Sequence, residues 1–490
     1  VAWLRAGWAV LVAAAVAAVL VSGGDSADPR TPAGLPGRPP PLLGVALVGS
    51  GGTTAAIDAY GDVVDLRPSP AGPALVEVPA ARLAAGTAPV AAAIVPRAWF
   101  GDEWWPLWRA DAIRQRYLPG TNVLSTTARF GNKRVAIDYA AHGPSLVCLT
   151  GAGVAIQTPA GLEASFDCND PAARRALHAA IAADRRWLAR ARPLGAGAPA
   201  WATRLYERSL LVLRALTSPT GAVAAGARDG WAYVWPRDAG AAALAYAAAG
   251  YRPQAQRVAR FLLSLDLAAA ARFDGEGEPV PGREAQGDAG GWTLAAARAA
   301  GLRLPPPLAA ELREYGWRGR ADYQEKSPGE HLANAIAAGN LPAAEALLRA
   351  GARGADSAAA WAVRPFPQPA LYPAVRRSLR RLLAGGGRYG IVPTAEWPEA
   401  DPWSAPTAWS AWAFAALARG DGAAGDPELA AADRRSALRL LADLRRAATP
   451  AGDLPERVDA GGGLPRSTTP LAWSHAFAIL ALRELWPTTD

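Results

Sequence analysis

The chain of 490 residues has no methionine, two lysines (Lys133 and Lys326), two cysteines and four histidines. Each scarcity excludes something. Two cysteines cannot staple a fold this size or build a cysteine-rich zinc site. Cys148 and Cys168 are therefore either one bridge outside the cytoplasm or two small buried side chains, and the residues alone leave both open. His142, His178, His331 and His475 are scattered, with no His/Cys spacing suited to a metal, so neither metal nor cofactor is expected. The lysine scarcity means that the basic charge is nearly all arginine, spread along the chain. A net charge of +8 and a pI of about 9.8 therefore do not mark a nucleic-acid-binding patch. With abundant Ala, Gly and Pro, the composition reflects GC-rich coding bias, and helices are not assigned on alanine alone. Val1 in place of Met implies an alternative start codon or a trimmed end.

The hydrophobic residues are plentiful, at 51 %, and Trp is unusually common, at 19. The length is enough for two or three domains and a large core. Arg5 precedes an uncharged stretch over 6–21, short for a membrane span of about 20 apolar residues but long for a buried strand. Residues 1–22 are expected to be a signal anchor, or a signal peptide cut near Ser22-Gly23-Gly24, with the remainder exported. A buried N-terminal helix is the less favoured alternative. Residues 23–42, rich in Pro, Gly and Asp, read as a linker away from the membrane.

Over 43–170 short alternating runs are punctuated by turns. Strands are expected at 43–48, 55–58, 63–66, 123–128, 134–139 and 146–150. Tyr60-Gly61-Asp62 and Phe130-Gly131-Asn132-Lys133 carry hairpin-turn chemistry. The pattern is that of an antiparallel β-sandwich. Trp99, Trp104, Trp105 and Trp108 fall inside it, as core or as a sugar-lined surface. From 171 to 490 the pattern is helical. Gly and Pro mark off about twelve segments: 172–190, 202–217, 237–249, 252–268, 289–300, 306–315, 329–338, 341–350, 370–384, 405–419, 428–447 and 471–485. There is no fixed sequence repeat. A dozen helices fit a closed helical toroid or a long helical array, with the chemistry on loops at one end.

The segment around Trp235, Arg237 and Asp238 organises the rest. Pro236 suits the first helical position and Asp238 the first turn, where the helix dipole favours a carboxylate. An aromatic ring beside an Arg/Asp pair can hold a sugar by stacking and by hydrogen bonds to hydroxyls; the alternative is a capped helix with a local ion pair. Sugar hydrolysis needs two carboxyl groups. Candidates stand in polar-aromatic loops that precede helices: Glu325 in Asp322-Tyr323-Gln324-Glu325, Glu456 in Leu454-Pro455-Glu456, Gln286 with Asp288, and Asp401 with Trp403. Any one of them read singly is an N-cap or a surface ion pair, but the recurrence at one kind of position is less easily accidental.

Taken in order, these motifs resemble glycoside hydrolase family 15, the glucoamylases and their glucodextranase and trehalase relatives. Tyr233-Val-Trp235-Pro-Arg237-Asp238-Ala239 is similar to the motif that holds the terminal glucose. Gln286-x-Asp288-x-x-Gly291-Trp292 is similar to the second substrate-side motif. Asp322-Tyr323-Gln324-Glu325 stands where the family carries its general acid. Leu454-Pro455-Glu456, followed by Thr469-Pro470-Leu471-Ala472-Trp473-Ser474-His475, resembles the C-terminal signature whose Glu is the base. Asp401-Pro402-Trp403 also matches a recurring family element. Residues 54–64 and 116–124 resemble the β-sandwich domain of bacterial members.

The resemblance covers most of 43–487. It implies an (α/α)6 barrel behind a β-sandwich. It also implies release of glucose from non-reducing ends of α-glucosides with inversion, with Glu325 as acid and Glu456 as base. Tyr233, Trp235, Arg237, Asp238, Gln286, Asp288, Asp401, Trp403 and Trp473 would bind substrate. The substrate would be a maltodextrin, an isomalto-oligosaccharide or trehalose. Gln324 departs from the pattern, since bacterial relatives usually carry Trp there. That departure keeps a second expectation alive, a non-catalytic carbohydrate-binding or cell-envelope protein on the same fold.

Overall fold

A computed structural model describes residues 45–78, 92–162, 164–314, 319–325, 329–350 and 355–488. The expected signal or anchor over 1–22 and the linker over 23–42 lie outside the described residues. Among the described residues no helix is long and apolar enough to cross a membrane.

The N-terminal part is β-rich. Strands β1 (Ala46–Gly49), β2 (Thr54–Ile57), β3 (Val63–Arg67) and β4 (Val76–Glu77) form a four-stranded antiparallel meander. Strands β5 (Val95–Phe100) and β6 (Glu103–Pro106) form a hairpin, and β11 (Val154–Gln157) pairs beside β5. Strands β7 (Ala112–Tyr117), β8 (Leu124–Phe130), β9 (Lys133–His142) and β10 (Ser145–Thr150) run antiparallel, and β12 (Phe166–Cys168) closes the edge. The last pairing corrects the expectation of a purely antiparallel sheet, because β12 runs parallel to β10. Chain direction explains it: β12 returns along the edge before the first helix. Cys148 faces Cys168 across that pair and the two form a disulfide, Cα–Cα 4.5 Å.

The meander is buried on both faces. Ala46, Val48, Ala55, Ile57 and Val63 face the five-stranded sheet, and Val45, Leu47, Ala56 and Val64 face the helices. Alternate residues therefore serve two different cores, as the two-residue period of a strand requires. This is why β1 and β2 are almost wholly apolar, while β3 buries its two charged residues, Asp65 and Arg67, as an ion pair at 2.9 Å. The Trp cluster divides. Trp105 packs on Phe100 and Phe130, whereas Trp99 and Trp104 stand 41 % and 42 % exposed at the hairpin.

The C-terminal part is helical. Helix α1 (Pro171–Leu188), capped by the Asp170 side chain, covers the outer face of the five-stranded sheet. It is followed by α2 (Ala200–Leu216), α3 (Pro236–Ala248), α4 (Arg252–Leu263), α5 (Ala289–Ala299) and α6 (Pro306–Glu314). Then come α7 (Leu332–Ala337), α8 (Leu341–Ala350), α9 (Tyr372–Gly385), α10 (Ser404–Ala423), α11 (Pro427–Ala447) and α12 (Ala472–Leu485).

Burial alternates along this series. Helices α3, α5, α7, α10 and α12 are buried on nearly every side over most of their length, as is the 3-10 segment Ser357–Ala362. Helices α4, α9 and α11 bury one stripe, for example Ala255, Val258, Ala259 and Leu262 on α4. Helices buried all round sit inside, and striped ones enclose them. The loops that lead into the inner helices carry the residues of the candidate site.

Candidate active site

A cavity of about 470 Å³ opens where these loops meet. Its wall includes Trp235, Arg237 and Asp238 from the start of α3, and Tyr323, Gln324 and Glu325 from the loop before α7. Trp397 and Trp403 come from the approach to α10, Glu456 and Ser467 from the approach to α12, and Trp473 from the first turn of α12.

Arg237 lies at the base. It is buried, and its Nη1 donates to Gln286 Oε1 at 2.8 Å and to Asp288 Oδ2 at 3.0 Å. Its guanidinium also faces the rings of Trp473 (4.7 Å) and Tyr323 (6.0 Å). Gln286 and Asp288 thus do not line the cavity; they fix the group that does. Asp238, also buried, has its pKa pushed up to about 7, first by burial and then, against the pull of Arg237, by the charges of Glu456 and Asp288. Tyr233 stands behind the wall, with Arg272 4.9 Å above its ring. Asp401 is set back beside Arg457, 3.9 Å away, with its carboxyl raised by burial.

Glu456 is gripped by its backbone. Its N–H donates to the Thr468 carbonyl and its own carbonyl accepts from Ser404 N–H, both at 2.9 Å. The carboxylate accepts from Ser467 Oγ and, at 3.4 Å, from Trp231 Nε1. Burial raises its pKa, and these two donors, with Arg237 and Arg283, oppose the rise without cancelling it.

Glu325 is presented differently. Its N–H bonds to the Asp322 carbonyl at 2.9 Å, and Asp322 Oδ1 accepts from Gln324 N–H at 3.0 Å, so the segment is a tight Asx-type turn. Glu325 sits at φ 55°, a left-handed conformation that few non-glycine residues adopt. Its partly exposed carboxylate pairs with Arg283. Gln324 donates to the Tyr323 hydroxyl at 3.0 Å.

The indole N–H groups of Trp235, Trp403 and Trp473 have no hydrogen-bond partner among the described residues although they are buried. Buried donors of this kind are normally satisfied, and a ligand hydroxyl is one way to satisfy them. The wall thus offers indoles for stacking and unpaired donors for hydroxyls, with two carboxylates of different surroundings. Among the described residues no group of three His, Cys, Asp or Glu side chains is placed to hold a metal ion. Sequence reasoning missed Trp231, Arg272, Arg283, Trp397 and Ser467, which occupy irregular loops without a periodic signal.

No protein-family model and no curated protein sequence matches the chain. Its structure nonetheless belongs to a recognised class, the glucoamylase-like fold. It is similar to a bacterial glucoamylase solved in complex with acarbose, with a TM-score of 0.62 and 12 % identity over 91 % of this chain and 94 % of that one. A Saccharomycopsis fibuligera glucoamylase (TM-score 0.47, 14 % identity, 58 % of this chain and 94 % of that one) and a glycosidase solved with glucose (TM-score 0.44, 20 % identity, 61 % and 98 %) are more distant. At those scores the last two add nothing about this chain.

Proposed function

We propose that the protein is an exo-acting, inverting glycoside hydrolase that releases glucose from the non-reducing end of α-glucosides. The observation that carries the reading is the meeting of Glu325 and Glu456 on the wall of one cavity that also carries Trp235, Trp397, Trp403 and Trp473 and the buried Arg237 and Asp238. The alternation of all-round-buried and one-faced helices fits an (α/α)6 barrel, with its inner ring made by α3, α5, α7, the segment Ser357–Ala362, α10 and α12.

In this reading Arg237 and Asp238 bind the hydroxyls of the terminal sugar, and Trp235, Trp403 and Trp473 pack against its rings. Glu325 delivers a proton to the glycosidic oxygen. Glu456 removes a proton from the water that attacks the anomeric carbon from the opposite face. Burial keeps Glu456 basic while Ser467 and Trp231 favour its ionised form, the state a base needs. The protein is further proposed to be exported, on the strength of Arg5 and the uncharged stretch that follows it.

The test is incubation of the full chain with maltotriose, isomaltotriose and trehalose, with the released anomer followed by NMR. β-Glucose appearing first is the expected outcome, and Glu456→Gln should remove turnover. Sugar binding without any release would identify a carbohydrate-binding protein instead, a reading favoured by the engagement of Glu325 with Arg283.

A further inference from the structure

The cavity wall is rich in arginine: Arg228, Arg237, Arg272, Arg283, Arg457 and Arg466. Three are paired with carboxylates other than the two reacting ones: Arg228 with Asp229, Arg237 with Asp288, and Arg457 with Glu399. Arg272 and Arg283 are different. They stand on adjacent stretches of one loop, where Ala271 N–H donates to the Arg283 carbonyl at 3.4 Å and Val280 N–H to the Arg272 carbonyl at 3.0 Å.

Arg272 lies 6.0 Å from the Trp235 ring centre, and its guanidinium donates to the carbonyls of Gly230 (3.2 Å) and Pro281 (3.3 Å). Among the described residues it has no carboxylate partner. Arg283, 46 % exposed, has Glu325 as its partner. The two guanidinium groups are close enough to oppose each other: burial first and Arg272 second lower the pKa of Arg283.

This arrangement conflicts with the chemistry. The ion pair needs Glu325 ionised, whereas a general acid must be protonated. Because the general acid stands beside the leaving oxygen, whatever binds Arg283 lies on the leaving side of the cavity.

We propose that the leaving-group side recognises an anionic substituent, a carboxylate or a phosphate on the sugar next to the scissile bond, held between Arg272 and Arg283. The catalytic half of this inference rests on the glycosidase reading; the binding half does not. The substrate anion replaces Glu325 as the partner of Arg283, and Glu325 takes a proton from solvent. That proton passes to the glycosidic oxygen as the anomeric carbon–oxygen bond breaks. Water forms the new bond, its proton goes to Glu456, and return of that proton to solvent completes the cycle. Glucose and the anionic sugar leave, with one water consumed.

The test uses two matched pairs on the full chain: maltose with maltobionate, and trehalose with trehalose 6-phosphate. Affinity is measured by calorimetry and glucose release in parallel. The anionic member of at least one pair should bind about tenfold tighter or more, the gain expected of a charge-assisted contact. The preference should shrink as salt rises and fall toward parity in Arg283→Gln, whose exposed side chain makes folding safe. The salt dependence is read on the wild type and needs no variant. Preference for maltobionate alone identifies a carboxylate, and preference for trehalose 6-phosphate alone a phosphate.

Equal or weaker binding of both anionic sugars, or no binding of either, overturns the inference. Cleavage of the neutral sugars without anionic preference would do so while leaving the hydrolase reading intact. Anionic preference without any cleavage would have the reverse meaning.

Discussion

Glu456 and Glu325 have the same side chain and opposite surroundings. Glu456 is partly buried and faces two neutral donors, with Arg237 and Arg283 acting at longer range; Glu325 is partly exposed and meets a cation directly. The Ser467 hydroxyl stabilises the ionised form of Glu456, so Ser467→Ala raises its pKa further. A base works when ionised. The acidic limb of the kcat/KM profile should therefore move to higher pH, with a rate about tenfold below wild type at the acid end and convergence with wild type at the alkaline end. An unmoved limb would show that Glu456 is not the titrating base. Both glutamates are legible in the sequence because each stands in a polar-aromatic loop before a helix. Asp401 has the same signature yet sits behind the wall, beside Arg457. The signature reports the kind of loop and not the direction of a side chain. Arg272 and Arg283 show the converse, since an irregular loop has no period from which to infer that two arginines meet.

The inner helices approach one another through small residues. Gly291 on α5 is the clearest case: a Cβ there would stand 2.4 Å from the Ala337 carbonyl oxygen and 2.8 Å from the Ala337 Cβ, at the end of α7. Gly291→Ala must push these helices apart, and overpacking of this kind costs about 1–3 kcal/mol. The urea midpoint should fall accordingly. Because α7 follows the turn that carries Glu325, turnover should fall more than sugar binding; an unchanged midpoint would mean that the contact is looser than described. The helices were legible because proline and glycine bracket them, as with Pro236 and Gly250 around α3. Strands β4, β5, β6, β7, β11 and β12 were not. Their residues are Trp- and Arg-rich or half-exposed, as in the Glu103–Pro106 and Ala112–Tyr117 patterns, and lack the clean apolar alternation that marks β8 and β9.

At the scale of the molecule, the β-rich and helical parts meet through a buried polar junction as well as through apolar packing. The Tyr117 hydroxyl, at the end of β7, accepts from Leu47 N–H on β1 and donates to Asp453 Oδ2, both at 2.8 Å. Arg208 of α2 lies 3.8 Å above the Tyr117 ring and 3.3 Å from Asp453 Oδ1. Asn122, between β7 and β8, donates to the carbonyls of Gly49 (2.8 Å) and Leu211 (2.9 Å). One residue along, Leu454 N–H donates to His475 Nε2 at 2.9 Å; Nδ1 must then carry the proton that bonds Ser209 Oγ, at 2.9 Å, on a ring that burial keeps neutral. The loop bearing Glu456 is therefore anchored at a joint that neither part completes alone, and the two parts should unfold in one calorimetric transition. Asp453→Ala leaves Arg208 buried without its carboxylate, a loss of about 3–5 kcal/mol. The whole transition should move down in temperature while remaining single, and kcat should fall because Glu456 stands three residues away. If the β-rich part melted separately in this variant while the helical part kept its midpoint, the joint would serve one side only, and the position of Glu456 would have to be set by the helices without it.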